Sequence, residues 1–198
     1  MLTRRALNEI ANSFKCSDYK FIHDAEGVYD SEEPGCSYLC WTVQAGSYIG
    51  QTHILRFKWV YGSNEKKFYP ANAPNVVFLT PMWHTNVSPS SGGGGSICVD
   101  ILREDSTNPS SWSPMYSLTS IFTSIILLLE EHNGASAYNG RASSDFKEAK
   151  EANRMDVFID RANKYYSSML EKTPDDHSVK KLLKAFNSQI NNQKDEKS

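Results

Sequence analysis

The apolar positions change period along the chain. Leu2, Ala6, Ile10 and Phe14 recur every four residues, which predicts a short N-terminal helix with Arg4, Arg5 and Glu9 facing solvent. "CSYLCWTVQAG" (36–46) and "THILRFKWVYG" (52–62) are dense in aromatic and branched residues and end in glycine. They read as antiparallel strands, with "GSYIG" (46–50) turning between them. "NVVFLT" (75–80) is a third strand, behind the proline-punctuated "YPANAP". Residues 81–116 carry no period, and "SPSSGGGG" and "EDSTNPSSWSP" flank "SICVDIL".

The helical period returns at Leu118, Ile121, Phe122, Ile125, Leu128 and Leu129. Phe146, Ala149, Met155, Phe158, Ala162, Tyr165 and Met169 predict one longer helix. Its start is expected at Ser143–Asp145, with Glu148 following Asp145 in capping-box spacing. Thr173-Pro174 predicts the cap and first turn of a last helix striped by Val179, Leu182, Leu183, Phe186 and Ile190. That stripe is expected to dock back onto the domain. "NNQKDEKS" reads as a disordered tail. Strands that cluster together between helices argue for an α+β fold with an antiparallel sheet.

Composition narrows the function classes. The 198 residues are 39% hydrophobic and 22% charged, as expected of a globular chain. A net charge of −2 and a pI near 6.2 give no sign of a nucleic-acid partner bound by phosphate neutralisation. The longest aliphatic run, Ile125–Leu129, is far short of a membrane span, and the polar N-terminal pattern lacks a signal-peptide core. Cys36 and Cys40 have no second Cys/His pair to complete a zinc site, so no metal is expected. A reducing cytoplasmic or nuclear setting follows as the expectation.

The chemistry concentrates in "HTNVSPSSGGGGSICVDIL" (84–102). A phosphate loop needs its glycines to open a helix, usually with a lysine; here they lead into a strand-like run. The glycines therefore read as slack in a surface loop, with Gly95 available for a turn before Ser96. Cys98 is either a small apolar filler or a thiol exposed at a glycine-to-strand transition. His84, beside Trp83, reads as a tie for its own loop more readily than as a base.

In order along the chain stand Tyr69-Pro70, Ala73-Pro74-Asn75-Val76-Val77-Phe78-Leu79-Thr80, His84-Thr85-Asn86, Gly95 to Leu102, and Trp112-Ser113-Pro114. This succession, over residues 2–170, resembles the ubiquitin-conjugating enzymes (E2). The resemblance implies their fold: an N-terminal helix, a four-stranded antiparallel meander, an irregular active-site segment, then helices. A catalytic domain would occupy 1–170, an added amphipathic helix 171–190, and the tail 191–198. Cys98 would accept ubiquitin from an activating enzyme (E1) as a thioester and pass it to a lysine, with a RING-type ligase (E3). No cofactor would sit on this chain, since the activating enzyme uses the ATP. Asn86 would stabilise the oxyanion or order its loop, and His84 would brace that loop. Asp100 would support the cysteine, and Ser136 would stand as the gate beside it. Ser113 and Pro114, with Tyr61 or Phe68, would meet the ligase; Arg4 and Arg5 would meet the activating enzyme. The residue types suit the chemistry, because thioester exchange needs a nucleophilic sulfur but no strong acid.

Some positions depart from the family pattern. Thr85 replaces the proline of His-Pro-Asn, removing a fixed φ. The stretch between Asn86 and Cys98 is about four residues longer than usual, a length that loop-closure entropy tolerates at roughly half a kcal/mol. Arg103, Glu104 and Asp105 lie in a long post-cysteine loop, similar to the acidic insertion of a subgroup associated with lysine-48 chains. Other readings stay open: a catalytically inactive E2-like binding module, an E2 for another ubiquitin-like modifier, or a cysteine hydrolase pairing Cys98 with His84.

Overall fold

The computed structural model describes residues 4–13, 19–23, 36–61, 67–89, 94–175 and 177–195. Leu2, Phe14, Cys16, Gly92, Gly93 and the last three residues lie outside that set, as do the side chains of Tyr61 and Ile190. Helix α1 (Arg4–Ser13) precedes β1 (Tyr19–His23), β2 (Cys36–Thr42) and β3 (Thr52–Lys58). A two-stranded ribbon follows, β4 (Val60–Tyr61) with β5 (Lys67–Phe68), then β6 (Asn75–Phe78) and β7 (Gly95–Ser96). The chain ends in α2 (Leu118–Glu130), α3 (Gly140–Glu151), α4 (Met155–Lys172) and α5 (Ser178–Asp195).

The main sheet runs β1-β2-β3-β6-β7, antiparallel throughout, so the expected four-stranded meander carries a two-residue fifth strand at its edge. Alternation gives each strand two faces. Leu39 and Trp41 of β2, Leu55 and Phe57 of β3, and Val76 and Phe78 of β6 turn to one side. There they bury the stripe of α2, namely Leu118, Ile121, Phe122, Ile125 and Leu129. Cys36, Tyr38, Cys40 and Ile54 turn to the other side, where Val179, Leu182 and Phe186 of α5 cover them. This double cover explains why "CSYLCW" is buried at every position and apolar at all but Ser37, as sheets buried on both faces are. The last helix thus docks on the back of the sheet.

Three local readings are corrected by the fold. The stripe from Phe146 to Met169 belongs to two helices, because Asn153 takes φ 53° between α3 and α4. Asparagine tolerates that left-handed conformation, and the Arg154 N–H closes back on the Ala149 carbonyl at 2.7 Å. The first of these helices starts at Gly140, not Ser143, because the Asn139 side chain caps it by accepting from the Ala142 N–H. Pro174 sits in a turn, its carbonyl accepting from the His177 N–H. The final helix accordingly begins at Ser178, and it runs past the expected end to Asp195.

Glu9 is a fourth correction, since its carboxylate points inward. It accepts from the Tyr69 hydroxyl at 2.6 Å, the Leu118 N–H at 2.7 Å and Arg5 Nε at 2.7 Å. Leu118 is the first residue of α2, where unpaired amides and the helix dipole favour a negative charge. Ser117 completes that terminus as N-cap in a reciprocal capping box with Ser120.

Candidate active site

The segment between Asn86 and Cys98 closes into a hairpin. The Cys98 N–H donates to the Asn86 carbonyl at 2.8 Å, Val87 bridges Ile97, and the Ser88 N–H donates to the Ser96 carbonyl at 2.9 Å. Ser88 Oγ also accepts from the Ser96 N–H at 2.9 Å. This ladder needs two of the four glycines. A Cβ on Gly95 would overlap the Ser88 carbonyl oxygen, and one on Gly94 would overlap the carbonyl oxygen of Phe78. The reading of the run as slack therefore fails at Gly94 and Gly95, where backbones approach too closely for any side chain.

Upstream, three consecutive residues brace the last turn of α2 and the loop that follows it. Asn86 is fully buried, and its amide spans residues 133–136. Nδ2 donates to the carbonyls of Asn133 at 2.9 Å and Ser136 at 3.1 Å, while Oδ1 accepts from the Asn133 N–H at 2.9 Å. Both amide protons are thereby committed to backbone. His84 is buried too: Nδ1 accepts from the Asn86 N–H at 2.9 Å and Nε2 faces the Leu128 carbonyl at 2.9 Å. Those partners assign the neutral Nε2–H tautomer, and burial lowers its pKa to about 4. With both nitrogens engaged, His84 is a brace and has none to offer as a base to Cys98.

Thr85, at the family's proline position, supplies what sequence reasoning missed. Its hydroxyl pairs with His132 Nδ1 at 2.7 Å, and its carbonyl accepts from the Tyr138 and Asn139 N–H groups at 2.8 and 2.9 Å. Tyr48 lies 3.3 Å from His132 Nε2 and donates to the Trp83 carbonyl at 2.8 Å. His132 also stacks on Phe146, centroids 3.7 Å apart, and lies 3.9 Å from the His84 ring. Burial, and then the neighbouring His84, lower its pKa to about 2. A hydrogen-bonded threonine thus does the ordering that a fixed φ does elsewhere. The signal was available in "EEHNG", where a histidine directly follows the helix that faces this loop.

Cys98 stands at the end of the hairpin, 4% exposed. The tight turn Asp100–Leu102 follows, with the Arg103 N–H donating to the Asp100 carbonyl at 2.8 Å. This turn carries the Arg103 side chain back over the cysteine, and Nη2 lies 2.8 Å from Sγ. Asp100 is 3.6 Å from Nη1 of the same guanidinium, so its link to the cysteine runs through Arg103. Glu104 pairs with Lys67, and Asp105 accepts from Thr107 N and Oγ1 at 2.9 and 2.7 Å. The post-cysteine acids are therefore engaged in shaping their loop. A groove of about 730 Å³ opens beside Cys98 and is lined by the hydroxyl residues Ser117, at the α2 N-cap, and Ser120, Thr123 and Ser124 of α2. Ser136 also lines it, so the structure brings together Cys98, Asp100 and Ser136, with Asn86 one shell behind.

The expected contact residues divide. Arg4 is exposed on α1. Arg5 is not outward: besides Glu9, it donates to the carbonyls of Pro114 and Tyr116, the latter at 2.8 Å. It ties α1 to the Ser113–Pro114 loop, leaving Arg4 as the outward cation of the pair. Phe68 is exposed on β5, and Met115, which the sequence reading passed over, is 88% exposed beside Pro114. Among the described residues no cluster of three or more His, Cys, Asp or Glu is arranged to hold a metal, and no helix is long and apolar enough to cross a membrane.

Comparison with known proteins places this geometry. A family model described as "Ubiquitin-conjugating enzyme" matches residues 57–159. The "Ubiquitin-conjugating enzyme E2-20 kDa" of Schizosaccharomyces pombe is 40% identical over 124 residues, covering 62% of this chain and 63% of that protein. The "Ubiquitin-conjugating enzyme E2 2" of Saccharomyces cerevisiae is 40% identical over 82 residues, 41% of this chain and 42% of that one. The chain thus spans less than two thirds of either relative. Among solved structures, S. cerevisiae Ubc12 superimposes with a TM-score of 0.59 at 22% identity, covering 80% of this chain and 73% of that one. A Toxoplasma gondii ubiquitin conjugating enzyme E2 domain gives 0.58 at 20% identity, covering 82% and 95%. At such identities the likeness is one of fold.

Proposed function

The chain belongs to the ubiquitin-conjugating enzyme family, and from that premise we propose that it carries ubiquitin as a thioester on Cys98 and delivers it to a lysine amine. The observation that carries this reading is the position of Cys98. The sulfur ends a hydrogen-bonded hairpin at the side of a groove bordered by the hydroxyls of α2. An extended peptide tail presents unpaired N–H and C=O groups along its length, and serine and threonine hydroxyls can meet both. A tail in that groove would bring its terminal carbonyl to Sγ.

Exchange between thioesters is nearly isoenergetic and needs no general acid, which fits a chain whose His84 is locked to backbone. Asn86 acts as a positioning residue: it holds loop 133–136, with Ser136, against the groove through which the acceptor lysine enters. The chain itself uses no cofactor, ATP being consumed by the activating enzyme. Arg4 faces that enzyme, and Ser113, Pro114, Phe68 and Met115 form the surface for a RING-type ligase. The setting is the cytoplasm or nucleus, where activating enzyme and ligase are met.

The test is a discharge assay. The protein is loaded with ubiquitin by activating enzyme and ATP, ATP is removed, and free lysine is added. The proposal expects faster loss of the adduct with lysine present, and ubiquitin joined to lysine as product. Loss to water at the same rate with or without lysine would make the protein a hydrolase and overturn it. A parallel lane with another ubiquitin-like modifier and its own activating enzyme fixes which modifier is accepted.

A further inference from the structure

Resting on the reading of Cys98 as an acyl carrier, we propose that Arg103 is a catalytic residue that stabilises charge on the Cys98 sulfur both when it attacks and when it leaves. Three observations support it. Nη2 donates to Sγ across 2.8 Å, so a permanent positive charge is in direct contact with the sulfur. The guanidinium is held there by its backbone, since Arg103 N–H closes the Asp100–Leu102 turn and the Arg103 carbonyl accepts from the Trp112 N–H at 2.7 Å. Trp112 is itself anchored, donating from Nε1 to the Pro70 carbonyl at 3.1 Å. Finally, two other side chains expected at the site, His84 and Asn86, are occupied: both His84 nitrogens and both Asn86 amide protons are committed to backbone.

The charge around Arg103 is arranged to keep it on the sulfur. Glu104, the adjacent acid, pairs with Lys67 on β5, and Asp105 accepts from Thr107. Asp100 remains, at 3.6 Å from Nη1, which leaves Nη2 to the sulfur. The contact with Cys98 is also the leading reason that Arg103 holds its proton more firmly than a free arginine.

The steps balance without a further reactant. In loading, Cys98 gives its proton to water and the thiolate forms a bond to the carbonyl carbon of the incoming thioester. The donor carbon–sulfur bond breaks, and the departing sulfur takes up a proton from water. In discharge, the lysine nitrogen bonds to the same carbon and the bond to Sγ breaks. The electron pair returns to the sulfur beside Arg103, and the amine proton passes to water. Arg103 stays protonated throughout and meets the same thiolate at the start of one step and at the end of the other. A hydrogen bond to a charged partner is worth about tenfold or more in such a reaction.

The test compares Arg103→Gln and Arg103→Lys with the unaltered chain in two readouts. The first needs no ubiquitin: alkylation of Cys98 by neutral iodoacetamide and by anionic iodoacetate, followed by peptide mass at Cys98. The second is the rate of thioester formation from activating enzyme. Arg103→Gln is expected to slow alkylation about tenfold, with a larger loss for iodoacetate than for iodoacetamide, and to slow loading alongside. Arg103→Lys, which keeps the charge, is expected to recover part of both. Unchanged or faster alkylation in Arg103→Gln overturns the proposal; a faster rate would make the guanidinium a cover over the sulfur. Unchanged loading with slowed alkylation overturns it too. If the unaltered chain takes no ubiquitin, the functional reading fails, and the alkylation arm still decides what Arg103 does to the thiol.

Discussion

Cys98 and Asn86 are joined backbone to backbone, the N–H of one donating to the carbonyl of the other at 2.8 Å. The site is therefore organised by main-chain pairing between 86–88 and 96–98. The same pairing makes Gly95 irreplaceable: an alanine there would drive its Cβ into the Ser88 carbonyl. Gly95→Ala should destabilise the fold by about 1–3 kcal/mol, the usual cost of overpacking, and slow thioester formation. Gly140→Ala serves as the comparison, because nothing lies within 4 Å of a Cβ there and the position is helical. It should leave the thermal midpoint unchanged or raise it.

Asn86 makes three hydrogen bonds to residues 133–136 from a fully buried side chain. Asn86→Ala leaves those backbone groups without partners and should cost about 2–4 kcal/mol. Amide exchange at Asn133, whose N–H donates to Oδ1, should accelerate. Thermal stability should fall with it, by roughly 5–15 °C. An unchanged midpoint with lost lysine transfer would assign the amide to the oxyanion instead.

Thr85 and His132 are coupled through a 2.7 Å hydrogen bond that substitutes for a proline's rigidity. Thr85→Val keeps the size and removes the donor, so His132 Nδ1 loses its partner at a cost of about 1–2 kcal/mol. Thr85→Ser should retain most of the stability. The ¹⁵N shift of His132 Nδ1 reports the difference directly, moving in the valine variant and holding in the serine one.

Two buried histidines, His53 and His84, and the half-buried His132 give the stability a pH dependence of definite sign. Burial lowers the pKa of His53 to about 3, His84 to about 4 and His132 to about 2. In the unfolded chain each titrates near about 6.5. Below that pH the unfolded state takes up protons that the folded state refuses. Their contribution to stability is therefore complete above about pH 6.5 and is lost as the pH falls, by up to about 1.4 kcal/mol per unit for each histidine. Urea midpoints should drop steadily from pH 7 to pH 5; a flat profile would mean that the rings accept protons while folded.

The legible parts of this molecule were those with a repeated signal. The period of Leu118 to Leu129 gave α2 to within a residue, because its stripe is buried and its cap is a serine. The ordered motifs from Tyr69 to Pro114 gave the family. Isolated polar side chains, which have no period, were misjudged. Glu9 and Arg5 sit on a helix whose spacing places them outward, yet both turn in to satisfy the first amide of α2 and the carbonyls after Pro114. Asn153 broke a helix without a glycine or proline to mark it. Arg103 looked like part of a charged loop, and only the turn at Asp100–Leu102 brings it back to the cysteine.

The central claim is that Cys98 carries the acyl group, and intact-mass analysis tests it most directly. After incubation with ubiquitin, activating enzyme and ATP, the chain should gain one ubiquitin less one water. That adduct should vanish on adding a thiol reductant and be absent from Cys98→Ala. An adduct that survives reductant in the unaltered chain, or one that persists in Cys98→Ala, would contradict the account.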